Sequence, residues 1–167
     1  MNNAWELIAH CLRDELQEYG GLLVRFQEQQ DALLRRDANA VLGVVSSIEE
    51  QARAANQKRI RREQAVREFS LSCGGDGEAT LRSLMTLFPD EVRPMLEALI
   101  DEVNRLVHRA RRCARQNSML LQRAIDMHQE ALRTLRPESF TKTYSPKGQV
   151  SVATTAHTPR SALEAVG

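Results

Sequence analysis

The stretch VRPMLEALIDEVNRLVHRARRCARQNSMLLQRAIDMHQEALRTL, Val92 to Leu135, decides the fold. Small or apolar residues recur in it every seven positions, at Val92, Leu99, Leu106, Cys113, Leu120 and Met127. A second row runs beside the first through Leu96, Val103, Ala110, Asn117, Ala124 and Ala131. Rows offset by four and three residues form the seam of a coiled coil, because that spacing keeps one stripe on the same side of an α-helix. Such a helix is about 65 Å long, more than a compact domain is wide. Pro137 ends it, and a polar tail carrying Tyr144 follows. A rod with a short tail suits contact with other proteins better than it suits catalysis.

Upstream, Trp5, Leu12, Tyr19, Phe26 and Leu33 are again seven apart, and Ile8, Leu16, Leu22 and Leu23 widen the stripe. They predict a first helix over 3–36. Gly20 and Gly21 interrupt it at about 1 kcal/mol each relative to Ala. Tyr19 and Phe26 keep one phase across the pair, which predicts a bend in a continuous helix and not a loop. Asp37 is placed to cap a second helix over 38–70. Its seam reads Val41, Val45, Ile48, Ala52, Ala55, Val66 and Phe69. Arg59 and Arg62 occupy seam positions in between. Either this half frays, or the arginine stems cover apolar surface while their heads reach water.

Ser72-Cys73-Gly74-Gly75-Asp76-Gly77 is the clearest break in the chain. A short amphipathic helix with Leu81, Leu84, Met85 and Phe88 on one face is expected next. Pro89-Asp90-Glu91 then opens the long helix, and Pro94 is tolerable only in its first turn. The short connection at Arg36-Asp37 makes the first two helices antiparallel neighbours. The expected fold is therefore all-α: an elongated antiparallel coiled-coil bundle over 1–137, built from two N-terminal helices, a short helix and one long C-terminal helix. The segment 138–167 has little apolar periodicity and is expected to be a disordered, flexible tail.

Composition agrees. Of 167 residues, aromatics make up 4% and charged residues 27%, a balance that favours packed helices over a large globular core. The net charge of +1 gives no global field to gather an anionic partner. Cys11, Cys73 and Cys113 lack metal-ligand spacing and are odd in number, so no disulfide framework is expected. No secretory leader or membrane span is legible, and a cytoplasmic protein is expected. There is no His-Glu-x-x-His, no Glu-x-x-His pair, no Cys-x-x-Cys and no phosphate loop. The expectation is a protein that is not an enzyme and needs no metal or cofactor.

Two arginine runs stand out. One spans Arg53, Lys58, Arg59, Arg61, Arg62 and Arg67; the other spans Arg105, Arg109, Arg111, Arg112, Arg115 and Arg123, with no acid between Glu102 and Asp126. They fit a nucleic-acid surface or, more simply, solvated helix faces opposite acids such as Asp14-Glu15 and Glu49-Glu50. No aromatics interleave them as a single-strand binder requires. Asn117, the one clearly polar seam residue, fits a register-setting role or the point where the helix leaves its bundle partners. Beyond it lie Leu120, Leu121, Ala124, Ile125, Met127, Ala131, Leu132 and Leu135, a wide face suited to another amphipathic helix or to packing on the first helix. Tyr144 has a large contact area and a polar tip, and Gly148 four residues later permits a tight turn that would present it. A purely structural coiled coil that oligomerises through its own seam is a further alternative.

Arg115-Gln116-Asn117-Ser118-Met119-Leu120-Leu121, continuing to Leu132-Arg133-Thr134-Leu135-Arg136-Pro137, and then Tyr144-Ser145-Pro146-Lys147-Gly148-Gln149 together resemble the C-terminal part of the FlgN family of flagellar export chaperones. The shared features are an Asn followed by a Leu-Leu pair, a Leu-x-x-Leu-x-Pro helix end and a Tyr-x-x-x-Gly-Gln tail. Tyr19, Leu22-Leu23, Gln29-Gln30 and Ala32-Leu33 extend the similarity to the front of the chain, and it runs to about residue 152. The resemblance implies a chaperone for hook-associated proteins of the FlgK/FlgL type, which keeps them from premature assembly and delivers them to the cytoplasmic domain of the export gate FlhA. It implies a cargo surface at Asn117, Leu120, Leu121, Ala124, Met127, Leu132 and Leu135, and gate docking through Tyr144 and Gly148.

Overall fold

The computed structural model describes residues 4–135, 140–144 and 150–154. Three helices carry most of them: α1 (Ala4–Leu34), α2 (Ala38–Ser72) and α3 (Arg93–Leu135). The chain forms two compact units, Met1–Leu121 and Gln122–Gly167, and the division falls inside α3.

In the first unit α1 and α2 are an antiparallel pair. Glu18 lies level with Gln51, and Asp14 with Lys58. α3 runs parallel to α1: the Arg13 guanidinium reaches Met95 Sδ at 3.4 Å, and further along Asn117 bonds to Phe26 and Gln29. α1 is unbroken through Gly20-Gly21. A Cβ on Gly21 would meet the Gln51 side chain at 2.9 Å. The missing side chain lets Gln51 cross over and donate to the Glu18 carbonyl at 3.1 Å, so the glycine serves the helix contact.

Three residues, Arg35, Arg36 and Asp37, join the first two helices. Asp37 N–H donates to Ala32 O and Arg36 N–H to Leu33 O, the bond pattern that closes a helix through a left-handed residue. That residue is Arg36, at φ 57°. Asp37 also caps α2, its Oδ1 accepting from Ala40 N–H at 3.0 Å. α2 ends the same way, with Gly74 at φ 83° in the left-handed position and Gly75 N–H donating to Ser70 O. Gly75 admits no side chain, since its Cβ would sit 2.6 Å from Ser70 Oγ.

The core lies at one end of the bundle. Ile8, Cys11 and Leu12 of α1, Ala65 and Val66 of α2, and Leu96 and Val103 of α3 close around Leu81, Leu84, Met85 and Phe88. Phe88 stacks on Phe69 with ring centroids 4.5 Å apart. All four apolar residues expected on a short helix are therefore buried, but they sit on turns and a single 3₁₀ turn at Met85–Leu87. Thr80 and Ser83 divert the local bonding: Thr80 Oγ1 accepts from Ser83 N–H, and Ser83 Oγ donates to Thr80 O. Away from this end the packing is lean. Val41 and Ala55 are the only buried apolar residues in the first half of α2.

In the second unit, residues 122–135 continue α3, and strands β1 (Phe140–Tyr144) and β2 (Val150–Thr154) pair antiparallel, from Phe140 with Thr154 to Tyr144 with Val150. Both strands lie in the segment expected to be a flexible tail. Pro137, Pro146 and Gly148 lie outside the described residues.

Candidate functional site

The heptad rows of α3 show where the molecule uses its own seam and where it stops. Leu96, Val103, Ala110 and Asn117, each seven after the last, are the four buried residues of this helix. The next two members of the row behave differently: Ala124 is half-buried and Ala131 exposed. The sequence pattern continues for eighteen residues beyond Asn117 at the same period, yet the burial ends.

Asn117 marks that change. It is 3% exposed, and its Nδ2 donates to Phe26 O at 2.8 Å and Gln29 Oε1 at 2.9 Å. Its Oδ1 is buried without a partner among the described residues. An amide tied to a neighbouring backbone fixes the register of α3 on α1, since sliding by a turn would strand it. In this packing the Asn117 side chain faces α1. The other expected cargo positions fall in two groups. Leu120 and Ala124 are half-buried. Leu121 (39%), Met127 (56%), Leu132 (51%) and Leu135 (78%) are exposed, as is Ile125 (41%). On a wheel of about 100° per residue, Met127, Leu120, Ala131, Ala124, Leu135, Leu121, Leu132 and Ile125 span about 160°, interrupted only by His128. Scattered exposed leucines need no explanation, whereas these exposed and half-buried residues form one contiguous apolar stripe.

The two arginine runs part company. Most of the run on α2 is matched from within, Arg53 and Arg67 being the exceptions among the described residues. Lys58 Nζ donates to Asp14 Oδ2 at 3.0 Å, Arg59 pairs with Glu63 at 2.7 Å, and Arg62 Nε donates to Glu15 Oε2 at 2.6 Å. The hydrogen bond from Lys58 holds the Asp14 carboxyl below its ordinary value. Burial, then the charge of Glu15, pushes the Tyr19 phenol up, and burial pushes up the Cys11 thiol. Sequence reasoning missed Glu15, which it placed on an acidic surface patch. It is 1% exposed, and the seam arginine Arg62 is its partner. Of the run on α3 only Arg105 is matched, through Glu102 at 2.7 Å, a bond that holds the Glu102 carboxyl below its ordinary value. Arg109, Arg111, Arg112, Arg115 and Arg123 are exposed and make no ion pair among the described residues.

Tyr144 is the last residue of β1, its backbone paired with Val150 where the ladder meets the connecting segment 145–149. Among the described residues no helix is long and apolar enough to cross a membrane. An open cleft of about 570 Å³ lies between α2 and the following loop, lined by Ile60, Val66, Arg67, Ala79 and Leu81 among others, without convergent catalytic groups.

The family model FlgN, described as FlgN protein, matches residues 1–151. Comparison with curated proteins and with solved structures yields no match.

Proposed function

The chain belongs to the FlgN family of flagellar export chaperones, and from that premise we propose that its clients are the hook-associated proteins of the hook–filament junction, of the FlgK/FlgL type. The stripe from Leu120 to Leu135 takes a client's polymerisation-prone terminal helix, and Tyr144 with Gly148 docks the loaded chaperone on the cytoplasmic domain of FlhA. The observation that carries the first part is the end of burial after Asn117 along a seam whose sequence pattern does not end. A helix of matching apolar stripe laid there covers both surfaces and keeps the client from pairing with its own kind. The work is recognition and cover, and it calls for no metal, nucleotide or catalytic group.

Titration calorimetry of the full chain against purified hook-associated proteins tests this. Leu121→Ser with Leu132→Ser and Leu135→Ser removes side chains that are already 39%, 51% and 78% exposed, so the melting temperature should hold. Re-covering that fraction of three leucines is worth about 3 kcal/mol, roughly two orders of magnitude in Kd. Wild-type affinity in the triple variant refutes the cargo face. Tyr144→Ala should abolish retention on the FlhA cytoplasmic domain while leaving client affinity intact. Unchanged retention refutes the docking role.

A further inference from the structure

Beyond Asn117, α3 is complementary to a reversed copy of itself. In the heptad register of its seam, Leu120 and Met127 stand in one row and Ala124 and Ala131 in the other. Arg123 and Glu130 each occupy the flanking position just before an alanine. When a second copy is turned end for end so that Ala124 meets its Met127, Leu120 meets its Ala131. The same two layers recur in reverse order, making four. In that register Arg123 of each copy lies across from Glu130 of the other, on the flank where coiled coils place the ion pairs that set partner and orientation. Both groups are available. Arg123 is exposed and makes no ion pair among the described residues. Glu130 is 73% exposed, and Arg133 meets it only loosely, at 3.5 Å one turn on. Arg123, Ala124, Met127 and Glu130 all lie in the second unit, on one unbroken helix.

We propose that a second copy of this chain covers the stripe, in an antiparallel, two-fold symmetric dimer through residues 120–131 closed by two Arg123–Glu130 ion pairs. Charge selects this register. A slip of one heptad in one direction sets Arg123 against Arg123, and in the other direction Glu130 against Glu130. A parallel pair in register would set Arg123 against His128 and Glu130 against Leu135, with no ion pair on either flank. The next layer outward would set Asn117 against Thr134, but Asn117 is already bonded to α1. The seam between copies therefore begins where the cover by α1 ends. Each copy offers the same patch, so the contact closes at two chains and cannot grow into a filament. Four layers make a short seam, and the dimer is a weak one that forms as concentration rises. The dimer does not depend on the client reading; where both hold, copy and client compete for one surface.

Sedimentation velocity of the full chain over a concentration series, at low and high salt, tests this. The wild type should pass from monomer to dimer. Arg123→Glu sets two acids against each other twice over, and Glu130→Arg does the same with bases. Each should weaken dimerisation at least about tenfold at low salt, and by less at high salt. Both side chains are exposed, so circular dichroism and melting temperature should hold. Mixing the two variants should restore the dimer, because each copy then supplies the charge that the other lacks. Arg123→Glu with Glu130→Arg in one chain should restore it as well. A chain that stays monomeric up to about 1 mM overturns the proposal. So does a dimer that neither reversal weakens, or a mixture that associates no better than its components. Failure here leaves the client reading standing, since that reading needs only an open stripe and is decided by the leucine variants.

Discussion

Truncating Arg62 is the sharpest probe of how this bundle holds together. Glu15 is 1% exposed and Arg62 has 20% of its side chain exposed, so the carboxylate depends on that guanidinium for its charge-assisted hydrogen bond. At an effective dielectric of about 20, two charges about 4 Å apart attract by about 4 kcal/mol, offset by several kcal/mol of lost hydration. The pair's net worth is therefore small, but losing one half of it is not. Arg62→Ala strands a buried carboxylate, a change that ordinarily costs about 3–5 kcal/mol. The partial exposure of Arg62 lets water into the gap and places the expectation near the lower end, about 3 kcal/mol. Glu15→Leu together with Arg62→Met removes both charges and keeps the volume, and should be within about 1 kcal/mol of wild type or more stable. Urea unfolding of wild type, Glu15→Leu, Arg62→Met and the double variant at pH 7, followed by far-UV circular dichroism, gives the cycle, with Arg62→Ala measured beside it. An Arg62→Ala cost under about 0.5 kcal/mol, the range of ordinary surface substitutions, would refute the buried-pair account. Additive single and double effects would refute it equally.

Arg36→Gly relieves a left-handed backbone at the α1 terminus and should stabilise the protein by about 1 kcal/mol, read as a rise in melting temperature. Asp14 titrates below its ordinary value through the Lys58 bond, so its contribution is complete above the unfolded carboxylate value of about 3.9 and is lost as pH falls through the lower folded value. Lys58→Met should accordingly flatten the fall in stability below about pH 4 in acid unfolding curves.

Much of the architecture was legible because seven-residue periodicity maps directly onto one face of a helix. The row Leu96, Val103, Ala110, Asn117 is buried as the spacing requires, Asp37 caps α2, and Gly20-Gly21 leaves α1 intact. What the sequence hid was pairing between anomalies. Glu15 looked like a surface acid and Arg62 like a flaw in the seam; each is the other's reason. The stretch around Leu81 to Phe88 has a helical apolar spacing, but Thr80 and Ser83 bond locally and the segment is too short to outweigh them. The ladder at Phe140–Tyr144 and Val150–Thr154 did carry a cue, since both runs are rich in β-branched and aromatic residues. Of the candidate site, the apolar stripe was legible and its exposure was not, because a periodic pattern reads the same whether a partner is internal or still to come. Asn117 could be read either way until its bonds to Phe26 and Gln29 placed it.

The end of burial at Asn117 also bears on time. The last turns of α3, from Ser118 to Leu135, hold their backbone bonds with little side-chain cover, and a helix of that length is marginal in water when nothing packs on it. Its amide protons therefore trade with solvent far faster than those around Leu96, and these turns open and reclose many times within the lifetime of the bundle. On the proposed reading, a client helix laid there would slow this exchange, so reduced isotope uptake on mixing would report occupancy.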